Sequence, residues 1–146
     1  MLSGLRRSEI LDLKRGNLDF KLRAIIPSKE RNASKNTWVS FFNYEAEREL
    51  KKYLRTYGGR KVFPISKRQL LRIFKNASES SGVKITSQRL REWFCEEMGN
   101  RGVPDRYIDA FCGGTPSSIL ARRYTDYSPE KLRKVYKKAR LKVLCG

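Results

Sequence analysis

Residues 87–98 read SQRLREWFCEEM, and the spacing of their apolar members decides how the rest of the chain is read. Leu90, Trp93, Phe94 and Met98 fall on one stripe of a helix, and Gln88 and Arg91, three residues apart, share a neighbouring face. One helix therefore offers a core-facing stripe with a polar pair beside it, and Gly99 and Gly102 mark its end. Downstream, Pro104 opens a short helix with Tyr107, Ile108 and Phe111 inside, which Gly113-Gly114 breaks. Thr115-Pro116 restarts a helix toward Tyr124, and Ser128-Pro129-Glu130 opens the last one, with Leu132, Val135, Tyr136, Ala139 and Val143 on its inner face. Upstream, Ser66 and Gln69 form a capping box, after which Leu70, Ile73, Phe74 and Ala77 repeat at helical spacing until the run 78–82 ends the helix. Residues 45–57 fit another helix, with Ala46, Leu50, Tyr53 and Leu54 inward and Gly58-Gly59 closing it. Ser8 is positioned to cap a short helix through Ile10, Leu11 and Leu13 that stops at Gly16. Only 18–20, 22–26 and 37–42 read as strands, the last two flanking a basic loop over 27–36. The predicted fold is mainly α with a small antiparallel β-sheet, an α+β domain whose hairpin has a basic tip. There is no internal repeat, low-complexity tract or linker.

Composition sets the partner class. The 146 residues carry 33 Lys+Arg against 15 Asp+Glu, a net charge of +18 with a pI near 10.2. So one-sided a balance points to a polyanion. A chain this long buries roughly 70% of its unfolded surface; with 39% hydrophobic and 11% aromatic residues it builds one core rather than a disordered basic tail. Trp38, Trp93, Phe94 and Phe111 are read as core, not as base-stacking platforms. No apolar run approaches the ~18 residues of a membrane span, and the opening MLSGLRRSE lacks the apolar stretch of a signal peptide; a soluble cytoplasmic protein is expected. Histidine is absent, which excludes imidazole metal sites, Ser-His-Asp and Cys-His catalysis, and a histidine pH switch. Cys95, Cys112 and Cys145 are widely spaced without a CxxC pair, so neither a disulfide framework nor a zinc site is indicated and buried or inert thiols are expected.

Three blocks go further. Ser3-Gly4-Leu5-Arg6-Arg7-Ser8-Glu9, then Gln88-Arg89-Leu90-Arg91, then Arg122-Arg123-Tyr124-Thr125-Asp126-Tyr127-Ser128-Pro129-Glu130-Lys131-Leu132 occur in this order. Together they resemble the catalytic domain of the tyrosine recombinase (phage integrase) family: its first arginine box, the box with its second arginine, and its nucleophilic tyrosine box. The stretch FCGGTPSSILARRY, 111–124, is more similar to integrases of archaeal viruses and plasmids than to bacterial ones. The resemblance implies a site-specific recombinase that acts on double-stranded attachment-site DNA, integrates or excises a viral or mobile element, and works with other protomers, as a tetramer on DNA. It implies no cofactor, no metal and no small-molecule substrate. The chain starts five residues before Arg6, so the expected organisation is a single catalytic domain, 1–146, shortened at its N-terminus and without the family's core-binding domain. Duplex binding is then expected to be weak and little sequence-dependent.

The chemistry fits those residue types. In-line attack on a phosphodiester needs two non-bridging oxygens neutralised, a nucleophile positioned and the 5′-oxygen protonated. Arginine's planar fork suits the first task, which the resemblance gives to Arg6 and Arg91. By resemblance Tyr124 attacks to form a 3′-phosphotyrosine that conserves the bond energy, with Tyr127 as the alternative nucleophile. The family's general-acid lysine sits on the hairpin; Lys29, directly after the Ala24-Ile25-Ile26 strand, is preferred, and Lys35 is the alternative. Glu9, three residues after the first arginine, is placed to orient Arg6 or simply to favour a helix N-terminus. Two positions depart from the family pattern. Gln88 stands where a histidine or lysine is usual and can bond a phosphate oxygen without carrying a proton. Gly114 falls at a basic or histidine position and offers only its backbone N–H; Lys84, Arg122 or Arg123 are candidates to compensate. The lysines and arginines of the last helix read as a solvated face with some phosphate contacts. A type IB topoisomerase and a non-catalytic basic nucleic-acid-binding module are the competing readings.

Overall fold

The computed structural model describes residues 3–27, 39–114 and 125–143. In chain order these form α1 (Arg7–Leu11), β1 (Leu18–Asp19), β2 (Ala24–Ile25), β3 (Ser40–Phe41), α2 (Tyr44–Thr56), α3 (Lys67–Ser81), α4 (Ser87–Asn100), α5 (Asp105–Phe111) and α6 (Pro129–Ala139). The chain is mostly helical with one small antiparallel sheet, as the pattern predicts.

The sheet runs β1-β2-β3, with Leu18 opposite Ile25 and Ala24 opposite Phe41. Alternation along it splits the core in two. Ala24 and Phe41 join Phe94, Met98, Phe111, Leu132 and Tyr136 in the main cluster, whereas Ile25 and Phe42 join Leu5, Leu13 and Val62 in a second. Phe111 is the centre of the first: Phe41, Phe94 and Tyr136 stand edge-on to it with ring centroids 5.9–6.4 Å away, a favoured aromatic geometry.

The strands are shorter than the 18–20 and 22–26 expected. Between β1 and β2 the chain turns: Asp19 accepts the Leu22 N–H at 2.8 Å, Leu22 is exposed, and Arg23 has φ +52°. Glu47 of α2 holds that turn, pairing with Arg23 at 3.0 Å and Lys51 at 2.6 Å. These cations hold the Glu47 carboxyl below its usual range, Lys51 having the larger effect. The basic loop 28–38 between β2 and β3 lies outside the described residues.

Helix ends differ from the sequence reading at three places. Arg6, not Ser8, caps α1, because the Glu9 carboxylate reaches back to accept the Arg6 N–H at 2.6 Å. The Ser66/Gln69 capping box is formed, at 3.2 and 2.7 Å. Yet α3 continues past Ser78 to Ser81, where both serine hydroxyls bond carbonyls four residues back at 2.7 Å, so they sit inside the helix instead of breaking it. Gly82, at φ +69°, ends α3. Helix α4 ends at Asn100, between Gly99 and Gly102 as the sequence predicts. Finally, α6 stops at Ala139 and Val143 lies outside it, exposed. Arg140 turns the chain at φ +49° so that Leu141 buries, and Arg101 donates to the Ala139 and Arg140 carbonyls at 3.0 Å each while pairing with Glu97 at 2.6 Å.

Candidate active site

Two arginines about 85 residues apart meet on one turn. Arg6 enters at the N-cap of α1 and donates through Nη2 to the Gly113 carbonyl at 3.3 Å. Arg91, in the second turn of α4, donates through Nη2 to the Cys112 carbonyl at 2.6 Å. These consecutive carbonyls cap α5, and the turn is possible because Gly113 takes φ +67°. The segment leading to Arg6 fits closely for the same kind of reason. Gly4 has φ +64°, and a Cβ there would meet the Phe94 ring at 2.7 Å and the Cys112 sulfur at 3.1 Å. Just before it, the Ser40 hydroxyl donates to the Ser3 carbonyl, and just after it Leu5 is fully buried.

The result is an open cleft of about 550 Å³ lined by Arg6, Arg7, Ser8, Ser87, Gln88 and Arg91. Three arginines line it, and the carboxylate of the buried Glu9, which is not in the lining, lies 3.6 Å from Arg6 Nη1. That carboxylate already accepts the Arg6 backbone N–H, so it fixes the arginine's base and leaves net positive charge at the opening. The N-terminus of the fourteen-residue α4 also faces the cleft, since its first two residues, Ser87 and Gln88, line it. Fork-shaped donors beside a helix N-terminus form a site for a tetrahedral oxyanion such as phosphate.

Arg6, Glu9, Gln88 and Arg91 are thus brought together. Gln88 is exposed and donates to Glu92 at 3.0 Å, one turn along α4. Gly114 corrects an expectation. Its N–H already donates to the Asp109 carbonyl at 2.7 Å, so the backbone donor is taken, and a Cβ would press on Asp109 at 3.1 Å. Tyr127 packs edge-on to Tyr107 at 6.1 Å, with its hydroxyl buried and without a partner among the described residues, and it does not line the cleft. Lys29, Lys35, Arg123 and Tyr124 lie outside the described residues, as do Trp38, Arg122 and Cys145. Trp93 is partly buried against the main core. On α6, Lys131, Lys134, Lys137 and Lys138 are exposed as a solvated face, whereas Arg133 bonds the Leu22 carbonyl at 3.1 Å.

Several features escaped the sequence reading. The carbonyls of Cys112 and Gly113 anchor both arginines, but Gly113-Gly114 signalled only a helix break. Ser87, whose Oγ is buried and unpartnered among the described residues, lines the cleft without any motif to announce it. Cys95 and Cys112, expected as separate thiols, lie with their sulfurs 3.4 Å apart. Among the described residues no cluster of Cys, Asp and Glu is arranged to hold a metal ion, and no helix is long and apolar enough to cross a membrane.

A family model described as the Phage integrase family matches residues 1–131. Among curated proteins, the chain is 28% identical over 150 residues to the tyrosine recombinase XerA of Thermococcus kodakarensis, and 29% identical over 150 residues to that of Thermococcus onnurineus. Each match covers 95% of this chain and 52% of the relative, so the chain spans about half the length of the curated relatives it matches. A crystal structure of XerA recombinase superposes with a TM-score of 0.67 at 21% identity, over 97% of this chain and 56% of that one, a likeness of fold.

Proposed function

The chain belongs to the phage integrase family, and from that premise we propose that it is the catalytic portion of a site-specific tyrosine recombinase. In this reading it cleaves and rejoins DNA strands through a 3′-phosphotyrosine at Tyr124, in the cytoplasm, to integrate or excise a mobile or viral element. The observation that carries the proposal is the convergence of Arg6 and Arg91 on the Cys112–Gly113 turn. The two guanidinium groups would grip the non-bridging oxygens of the scissile phosphate, and their charge would grow in value as the pentacoordinate transition state gathers negative charge. Carbonyl anchors fix both forks before DNA arrives, so little ordering is needed at the moment of reaction. Glu9 holds the Arg6 backbone, and Gln88 contributes a neutral donor from the mouth of the cleft. Tyr124 would attack phosphorus and expel the 5′-oxygen, with Lys29 (or Lys35) donating the proton. The buried, ring-packed hydroxyl of Tyr127 supports Tyr124 over Tyr127. No metal or cofactor enters this mechanism. Attachment-site duplex and further protomers, assembled as a tetramer on DNA, complete the proposed partners.

The test is a suicide duplex carrying a 5′-bridging phosphorothiolate, incubated with this chain and with Tyr124→Phe, then run on a denaturing gel. A covalent protein–DNA band from the parent that disappears in the variant supports the proposal. A band that survives in Tyr124→Phe reassigns the nucleophile to Tyr127. The competing reading is a non-catalytic DNA-binding module, favoured by the engaged Gly114 N–H and by the Gln88–Glu92 bond. It predicts salt-sensitive binding and no band, even when the protein is extended at its N-terminus.

A further inference from the structure

Cys95 and Cys112 come from different elements and meet beneath the arginine pair. Cys95 lies on α4 one turn beyond Arg91, and Cys112 is the C-cap of α5. Their sulfurs are 3.4 Å apart; a disulfide needs about 2.05 Å, an approach of ~1.4 Å between two side chains already in contact. Cys112 is buried, whereas Cys95 is partly exposed. The surroundings also divide the two roles of thiol–disulfide exchange. The Cys112 hydrogen bond, and secondarily the Arg91 charge, bring the Cys95 thiol down to about 7, whereas its Cys95 partner and burial push Cys112 up. An accessible thiol of lowered pKa beside a buried resolving thiol is the arrangement of a redox-responsive pair.

We propose that Cys95 and Cys112 are a reversible disulfide site that reacts with low-molecular-weight disulfides of the glutathione type and reports on the arginine clamp above it. The Cys95 thiolate attacks one sulfur of the small disulfide, forming a mixed disulfide and releasing one small thiolate, which takes up a proton. Cys112 then attacks the Cys95 sulfur, loses its proton, forms the Cys95–Cys112 bond and expels the second small thiol. Two protein thiols are oxidised and one small disulfide is reduced to two thiols. The coupling to function rests on the proposed strand cleavage: the Cys112 carbonyl that anchors Arg91 belongs to the residue that must move, and displacements near 1 Å at a reacting site cost on the order of 10²-fold in rate.

The experiment uses the full chain with Cys145→Ser, so that only the pair remains. It is equilibrated across a reduced-to-oxidised glutathione series, trapped with maleimide and mapped by mass spectrometry. The expected product has lost the mass of two hydrogens, takes up maleimide on neither cysteine, yields a peptide linking Cys95 to Cys112, and reverts with dithiothreitol. Glutathione remaining on Cys95 with Cys112 still free, or no reaction at any ratio, overturns the site; this readout needs no DNA and is independent of the recombinase reading. In the suicide-substrate assay the linked form is expected to give adduct at least tenfold more slowly than the reduced form, with Cys95→Ser indifferent to oxidant. Equal rates from linked and reduced protein overturn the coupling.

Discussion

A glycine series separates backbone strain from close packing beside the arginine pair. At Gly16 a Cβ would have no neighbour within 4 Å, and φ is not left-handed; Gly82 has φ +69° and open space; Gly4 has φ +64° and a Cβ position 2.7 and 2.9 Å from Phe94 atoms and 3.1 Å from the Cys112 sulfur. Alanine at Gly16 is therefore expected to be neutral, or to stabilise by up to ~1 kcal/mol through the unfolded chain. At Gly82 it meets only the left-handed penalty of ~1 kcal/mol. At Gly4 the same penalty adds to overpacking of ~1–3 kcal/mol, because Phe94 is fully buried and edge-on to Phe111 and has nowhere to go. The total of ~2–4 kcal/mol corresponds, at roughly 2–4 °C per kcal/mol for a chain of this size, to a Tm lower by about 4–16 °C. Urea and thermal unfolding followed by circular dichroism measure all three. Gly4→Ala costing no more than Gly82→Ala would refute the reasoning, since the approach of the chain to Phe94 and Cys112 would then not constrain how Arg6 is presented.

Other outcomes follow from single contacts. Arg91→Lys keeps the charge but loses the fork that bonds the Cys112 carbonyl; adduct formation is expected to fall on the order of 10²-fold while salt-dependent duplex binding changes little, and equal losses in both would argue against a transition-state role. Arg101→Ala removes two bonds to the carbonyls ending α6 and is expected to cost ~1–3 kcal/mol in urea unfolding, with hydrogen exchange speeding at the end of α6. Phe111→Ala empties the centre of the main core and should cost ~3–5 kcal/mol; a loss under about 1 kcal/mol would contradict its placement. Glu47 has a folded pKa below its usual 4.5, so its contribution to stability is present above that pH and lost as pH falls through the lower folded value. Glu47→Gln is accordingly expected to flatten the acid limb of a stability–pH curve, and an unchanged limb would rule that contribution out.

What could be read along the chain was what repeats locally. The stripe of Leu90, Trp93, Phe94 and Met98, the Ser66/Gln69 box and the Ser128-Pro129 start are set by contacts three or four residues apart, so the helices and the mostly helical class were legible. Strand ends and helix stops were less so, because they depend on distant partners: Glu47 holds the turn at Arg23, and Arg101 closes α6 before Val143. The three motif blocks named Arg6, Gln88 and Arg91 as candidates, since side-chain chemistry and order along the chain are properties of sequence alone. Tertiary structure alone decided that the carbonyls of Cys112 and Gly113 anchor two arginines far apart in the chain, that the Asp109 carbonyl takes the Gly114 N–H, and that two of three scattered cysteines touch. Backbone carbonyls are identical in every residue and leave no mark in a sequence, so which of them a guanidinium finds is determined only when the helices pack.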